Sequence, residues 1–500
     1  MTPQPHPRRA MPGLAAATAL AAALPLAAQS PDPEAMIARI EAAQPDRPGD
    51  ELAAMTMDEL MEHFHVPGMS VAVIHDFDIH WARGYGTADV ETGAAVDTET
   101  MFQAASMSKP VAAMGSLRAV QDGLFGLDDD VNDILTSWRL DGGAFTAADP
   151  VTPRTLLSHI SGLGDAFGFP GYDPDAPLPS VVQILEGHEL SNVGPIFMER
   201  RPWEAFEYSG GGVTLQQQAL EDARGRPFAD VLRTDVLQPL GMTRSSFEQP
   251  ISPANDRNAA RAHDDEGRSR GPKWHVYPEM AAAGLWTTAS DLARFLVEVQ
   301  RSVRGESNRV LDRAHAREMI TPVGVGDFAV GFSVSKRGQG WYFDHGGSNW
   351  GFRGTMAAHT VKGYGMAILT NADQGGALAG EVGRRIQDAY AWDSLTEPVP
   401  RGYAPPVQRE AVAVDRGVLA RYVGTYRLNA ELDVVVTLGD DGLLVTPTGQ
   451  PTLPLFAESE TEFFLRAANA QITFVLTANG EVEGLILHQG GRDNRAEKIG

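Results

Sequence analysis

Two rhythms of apolar and polar positions run along this chain. Up to about residue 395, strand-like and helix-like patterns are mixed; after about residue 411 only short strand-like runs remain. Met69 to Gly86, MSVAVIHDFDIHWARGYG, predicts a hairpin of two strands. Val111, Met114, Leu117 and Val120 then recur at three-residue steps and stop at Gly123, which predicts a helix. Pro110 has no N–H to donate and fits only a first turn, so the helix starts near Ser106. Thr287 to Gln300, TTASDLARFLVEVQ, predicts an amphipathic helix with Ser290 as its N-cap. Phe352 to Asp373 reads as two strands around a Lys-Gly turn.

Beyond the Pro-rich linker of residues 396–410, the runs DVVVTL, LLVTP, EFFLR, QITFVL and EVEGLILH are short strands. Asp441-Gly442 and Asn479-Gly480 are hairpin turns between them. Residues 411–500 therefore predict a small up-and-down β-barrel. At the other end, Arg8 and Arg9 precede an Ala/Leu-rich run to Leu26 and then small residues. That pattern is a secretory signal peptide over residues 1–28. The run falls short of the ~20 apolar residues that a membrane span needs. Residues 29–50 read as a linker or leading helix, and 51–395 as the main domain. The expected location is periplasmic or secreted, with no stable membrane insertion after signal cleavage.

Charge and composition remove several function classes. A formal net charge of -24 repels nucleic acid and anionic membrane. The absence of cysteine excludes thiol nucleophiles, disulfides and Cys-type zinc sites. Glu62-His63-Phe64-His65 lacks the further partners a metal site needs. No metal and no cofactor are expected. Asp128-Asp129-Asp130 reads as a solvated loop after the helix, and His159 as a buried hydrogen-bonding brace.

The candidate chemistry begins with Ser106 and Lys109. A serine hydroxyl needs a base within hydrogen-bond reach before it becomes a nucleophile. On a helix, residue i+3 shares the face of residue i, so Lys109 can touch Ser106. The same spacing recurs in Ser333-Val334-Ser335-Lys336, but there the pattern is a strand, where positions three apart point to opposite faces. Gly267-Arg268-Ser269-Arg270-Gly271 matches the G-x-S-x-G nucleophile elbow, yet sits in a charged loop ahead of Pro272 rather than between a strand and a helix.

Ser106-x-x-Lys109 is followed in order by Tyr208-Ser209-Gly210 and His345-Gly346-Gly347. With the flanking phrases LLSHISGL, LGMTRSSF and AAGLWTTASDLARF, the chain resembles the serine β-lactamase and penicillin-binding-protein superfamily, nearest its class C branch with D-peptidases and esterases. The resemblance spans roughly residues 50–395 and implies an α/β (α+β) domain, an antiparallel sheet flanked by helices. The C-terminal unit resembles the lipocalin-like barrel of some members. By position, the resemblance makes Ser106 the acylated nucleophile, Lys109 its neighbour, Tyr208 the general base as a phenolate, and His345 a cation or donor that steadies Tyr208. The N–H groups of Ser106 and Ser348 become the oxyanion hole, and Gly210, Gly346 and Gly347 line bound substrate. His488-Gln489-Gly490 repeats the His-x-Gly pattern inside the barrel unit, where it reads as structural. Gly210 stands where the family pattern has asparagine, whose side chain donates to a substrate amide; that departure favours simpler acyl groups. The implied partner is a small-molecule or peptide substrate. The implied function is hydrolysis of an ester, amide or D-amino-acid peptide bond, with a true β-lactamase, a D-alanyl-D-alanine carboxypeptidase, or a lapsed enzyme that only binds cell-wall peptide as alternatives.

Overall fold

The computed structural model describes Met1 and residues 30–499, apart from 45–49, 144, 147–148, 165–167, 339, 394–410, 429–431, 440–441, 449–451, 466–469, 478 and 490–491. The signal segment (beyond Met1), the Pro-rich linker and Asp441 of the first barrel turn lie outside the described residues.

The centre of the main domain is a seven-stranded antiparallel sheet. Its strands are β1 (Gly68–His75), β2 (Asp78–Asp89), β3 (Ala94–Ala95), β4 (Ser333–Arg337), β5 (Gly340–Asn349), β6 (Phe352–His359) and β7 (Gly365–Thr370). They lie in the order β3-β2-β1-β7-β6-β5-β4. β1 is buried almost throughout because both of its faces are covered. Met69, Val71 and Val73 face one apolar core, and Ala72 and Ile74 the other, as the period of two requires.

The first core is closed by α1 (Pro33–Glu41) and α6 (Gly375–Ala389). The Asp32 side chain caps α1 by accepting from Ala35 N at 2.9 Å. Arg385 of α6 is fully buried and donates to the carbonyls of Ile40, Ala42, Leu52 and Met55. The leading helix is thereby tied into the sheet domain.

The second core holds α2 (Ser108–Gln121), α3 (Gly210–Arg224), α4 (Met280–Ala283) and α5 (Ala289–Arg304). Ala105–Met107 is a 3-10 turn that runs into α2, so Pro110 stands in the first turn as expected. α2 is buried from Ser108 through Leu117, on all sides rather than on one stripe. For α5 the cap is Thr288, not Ser290. Thr288 has extended backbone and accepts from Asp291 N at 3.1 Å, which leaves Ser290 inside the first turn.

The C-terminal unit is a closed eight-stranded barrel with its own core. Its strands run in sequence from β8 (Gly424–Arg427) through β9 (Asp433–Leu438), β10 (Leu443–Pro447), β11 (Leu453–Ala457), β12 (Glu462–Phe464), β13 (Ala470–Leu476) and β14 (Val482–Gln489) to β15 (Arg492–Lys498). Closure comes from the β8–β15 pairing, with Tyr426 opposite Lys498. Aromatic side chains fill the interior: Tyr422 stacks on Phe474 with ring centroids 4.1 Å apart, and Phe463 meets Phe474 edge-on. Asn479-Gly480 makes the β13–β14 turn, with Gly480 at φ +80°.

Candidate active site

The site lies where the 3-10 turn before α2 meets the free end of β5. β4 pairs with β5 only as far as Ser333 opposite Asp344. Past Asp344, no strand among the described residues pairs with residues 345–348 of β5 on that side, and a cleft of about 470 Å³ opens there. Ser106, Tyr208, Phe328, Ser333, Asp344, His345, Gly346, Gly347, Ser348 and Gly354 line it.

Ser106 is held by an unusual turn. Ala105, immediately before it, has φ +51°, a conformation that costs a residue with a side chain of order 1–3 kcal/mol. Surrounding bonds over-determine it. Ser108 Oγ donates to Ala105 O at 2.6 Å and accepts from Leu285 N at 2.9 Å, while Ala104 N donates to Leu285 O at 2.8 Å. Gly347 also needs its missing side chain here, because a Cβ would collide with the Ala104 carbonyl. The bare glycine lets β5 press against the turn, which brings the Ser348 and Ser106 ends together at the cleft.

Lys109 is 3% exposed. Its Nζ donates to Ser106 Oγ at 3.1 Å and to Ala282 O of α4 at 2.9 Å. The same short helix accepts from Asn349 Nδ2 at Ala283 O, 3.1 Å away. α4 thus fixes both the lysine and the end of β5. Lys109 Nζ also lies 4.9 Å from the centre of the Tyr208 ring.

Tyr208 is gripped by His159. The His159 carbonyl accepts from Glu207 N at 2.8 Å, its Nδ1 accepts from Ser209 N at 3.1 Å, and its ring lies on Tyr208 at 4.3 Å. Burial first, then the charge of Lys109, holds its pKa well below the usual histidine value, so it stays neutral. His159 is therefore the brace that its position in the sequence suggested.

His345 departs from expectation. Burial, with Lys109 beside it, pushes its pKa down to about 3. Its Nδ1 faces Gly346 O at 2.6 Å and must carry the hydrogen, since a carbonyl can only accept. Nε2 is then a bare acceptor, 3.5 Å from Tyr208 Oη. His345 is neither a cation nor a donor toward Tyr208; the tyrosine hydroxyl donates to it.

The three glycines expected to line substrate differ among themselves. A Cβ on Gly346 would meet nothing nearer than Gly354 O at 3.8 Å, so this position opens into the cleft. Gly210 opens α3 and its φ is not in the left-handed region. A Cβ there would stand 2.6 Å from Cε2 of Phe169. The space beside Gly210 is thus taken by a phenyl ring. Ser333, the serine of the strand-borne Ser-x-x-Lys, lines the cleft, as do Phe328, Asp344 and Gly354, which no motif marks. Gly354 lies opposite Gly347 in the β5–β6 pairing. The decoys fall away as expected: Lys336 is exposed on β4, the G-x-S-x-G segment is a loop, and His488 bonds Thr473 Oγ1 at 2.9 Å between neighbouring barrel strands. Among the described residues no group of three or more His, Asp or Glu is placed to hold a metal ion, and no helix is long and apolar enough to cross a membrane.

A family model described as Beta-lactamase matches residues 53–391. One described as Domain of unknown function (DUF3471) matches residues 408–498. Penicillin-binding protein 4* of Bacillus subtilis (strain 168) is 25% identical over 466 residues, covering 88% of this chain and 97% of that protein. Among solved structures, SurE with D-Leu aligns with a TM-score of 0.58 at 21% identity, over 89% of this chain and 97% of that one. The octameric penicillin-binding protein homologue from Pyrococcus abyssi aligns with a TM-score of 0.54 at 21% identity, over 88% and 98%. At such identities the solved structures speak for the fold.

Proposed function

The chain belongs to the Beta-lactamase family of serine hydrolases, and from that premise we propose that it is an exported hydrolase that cleaves an ester, amide or D-amino-acid peptide bond through an acyl-Ser106 intermediate. The observation that carries the reading is the hydrogen bond from buried Lys109 to Ser106 Oγ at the mouth of the cleft. Burying an ammonium group costs several kcal/mol unless it is partnered. Spending one of its donors on a serine hydroxyl favours charge developing on that oxygen.

In the proposed acylation step, Ser106 Oγ attacks the substrate carbonyl and the Ser106 and Ser348 N–H groups bind the developing oxyanion. Tyr208 hands its own proton to His345 Nε2 and, as the phenolate, takes the Ser106 proton. The protons then return along the same path, His345 to Tyr208 and Tyr208 to the leaving group, and water repeats the sequence to release the acid. Gly346, open to the cleft, lets the substrate run along the free edge of β5. Export rests on the N-terminal pattern of paired arginines and an Ala/Leu-rich run.

The test is pre-steady-state hydrolysis of p-nitrophenyl acetate. A burst of p-nitrophenol equal to the enzyme concentration, with a matching acetyl mass on the protein, is expected. A linear release with no acylated species contradicts the reading. Labelling by a fluorescent penicillin examines the D-peptidase and β-lactamase end of the range, which the name of the Bacillus subtilis relative supports.

A further inference from the structure

Gly210, two residues after Tyr208, has no side chain, and the space its Cβ would take is filled by the ring of Phe169, half-buried against the second core. The chain next to Phe169 is anchored as well. Pro170 O accepts from His275 Nδ1 at 3.0 Å, and the His275 ring stacks on Trp350 with centroids 4.0 Å apart and planes at 3°. Trp350 comes two residues after Ser348, which lines the cleft. Phe169 thus joins the segment that carries Tyr208 to the one that follows Ser348, and its side chain has no hydrogen-bonding atom to offer a substrate. A substrate amide pressed against that ring would lose water and gain no partner, at the usual cost of an unmade bond. An alkyl or aryl group there would gain apolar contact.

We propose that Phe169, seated on Gly210, is the specificity-determining residue of this site, selecting acyl groups that are apolar beside the scissile carbonyl over those carrying an acylamino group. The proposal rests on the reading of Ser106 as the acylated nucleophile. It also sets what Gly210→Asn does. The new side chain meets the ring at its Cβ, so Gly210→Asn alone loses activity on every substrate. Paired with Phe169→Ala, it has room to offer its amide.

The experiment compares p-nitrophenyl butyrate with the p-nitrophenyl ester of N-acetyl-D-alanine, which share a leaving group and differ only in the acyl part. Wild-type enzyme should favour butyrate in kcat/KM by about tenfold or more, and Phe169→Ala should lower that ratio by about tenfold, the effect expected of apolar contact in a pocket. Phe169→Ala with Gly210→Asn should move the ratio further toward the acylamino ester. Phe169→Leu keeps the packing on the core and covers the case in which the alanine variant does not fold. It shortens the side chain and should raise the hexanoate-to-butyrate ratio by about threefold. Unchanged ratios in these variants, with Ser106 still acylated by both esters, overturn the proposal and leave the nucleophile standing. Esters that acylate no Ser106 at all overturn the underlying reading instead.

Discussion

The chain contains Ser-x-x-Lys twice, and the two copies differ in everything except spacing. Ser106 and Lys109 lie on one helical turn, with the lysine buried and its Nζ 3.1 Å from the serine. Ser333 and Lys336 lie on β4, where three residues carry the chain about 10 Å and reverse the side-chain direction. Both serines line the same cleft. Lys336, however, is exposed. What separates a candidate nucleophile from a lining hydroxyl is therefore not the motif, nor even nearness to the cleft, but a buried cation aimed at one of them. The second core supplies that cation's burial, and the α4 carbonyl at Ala282 aims it.

The comparison breaks most sharply at the serines. Ser106→Ala should reduce kcat by on the order of 10⁴ or more, as loss of one member of a catalytic unit does. Ser333→Ala should change kcat/KM by no more than about tenfold, since it removes at most one hydrogen bond to substrate. Equal losses at both would erase the distinction. The proposed base Tyr208 and the buried Lys109 come next. Tyr208→Phe and Lys109→Ala should each slow acylation by about 10² or more, the usual size of a general-base contribution. Lys336→Ala should be silent. Circular dichroism and the melting temperature separate lost chemistry from lost fold.

A smaller effect concerns acid stability. His345 titrates at about 3 in the folded protein against 6.5 unfolded, and His159 is likewise held low. The unfolded chain therefore binds these protons first. Stability from this source is present above pH 6.5 and is lost as the pH falls from there toward 3, by about 1.4 kcal/mol per pH unit for His345, with His159 acting in the same direction. Glu279 works the other way. Burial raises its pKa to about 7, so its contribution is full below 4.5 and is lost as the pH rises toward 7. Urea unfolding between pH 4 and 8 should show His345→Asn flattening the acid slope and Glu279→Gln gaining stability at pH 8.

Much of this architecture was legible in the sequence wherever a period met a burial pattern. β1, β2, β6, β7 and α2 follow directly from their apolar spacing. β15 did not: Arg492 to Lys498 is polar except for Ala496, and only its pairing with β8 and β14 makes it a strand. The cap of α5 was displaced by two residues because Thr288, Ser290 and Asp291 compete for the same role, and backbone geometry decides. At the site, the motifs located Ser106, Lys109, Tyr208 and His345 in one place. They could not show the tautomer of His345, which depends on a carbonyl one residue away and on the depth of burial. Nor could they show Phe169, whose contact with Gly210 joins two distant segments.

The most direct test is mass mapping after reaction with a fluorophosphonate. The account predicts a single adduct on the tryptic peptide containing Ser106, abolished by Ser106→Ala, strongly slowed by Lys109→Ala and unaffected by Lys336→Ala. An adduct on the Ser333 peptide, or on Ser106 at an undiminished rate without Lys109, would contradict it.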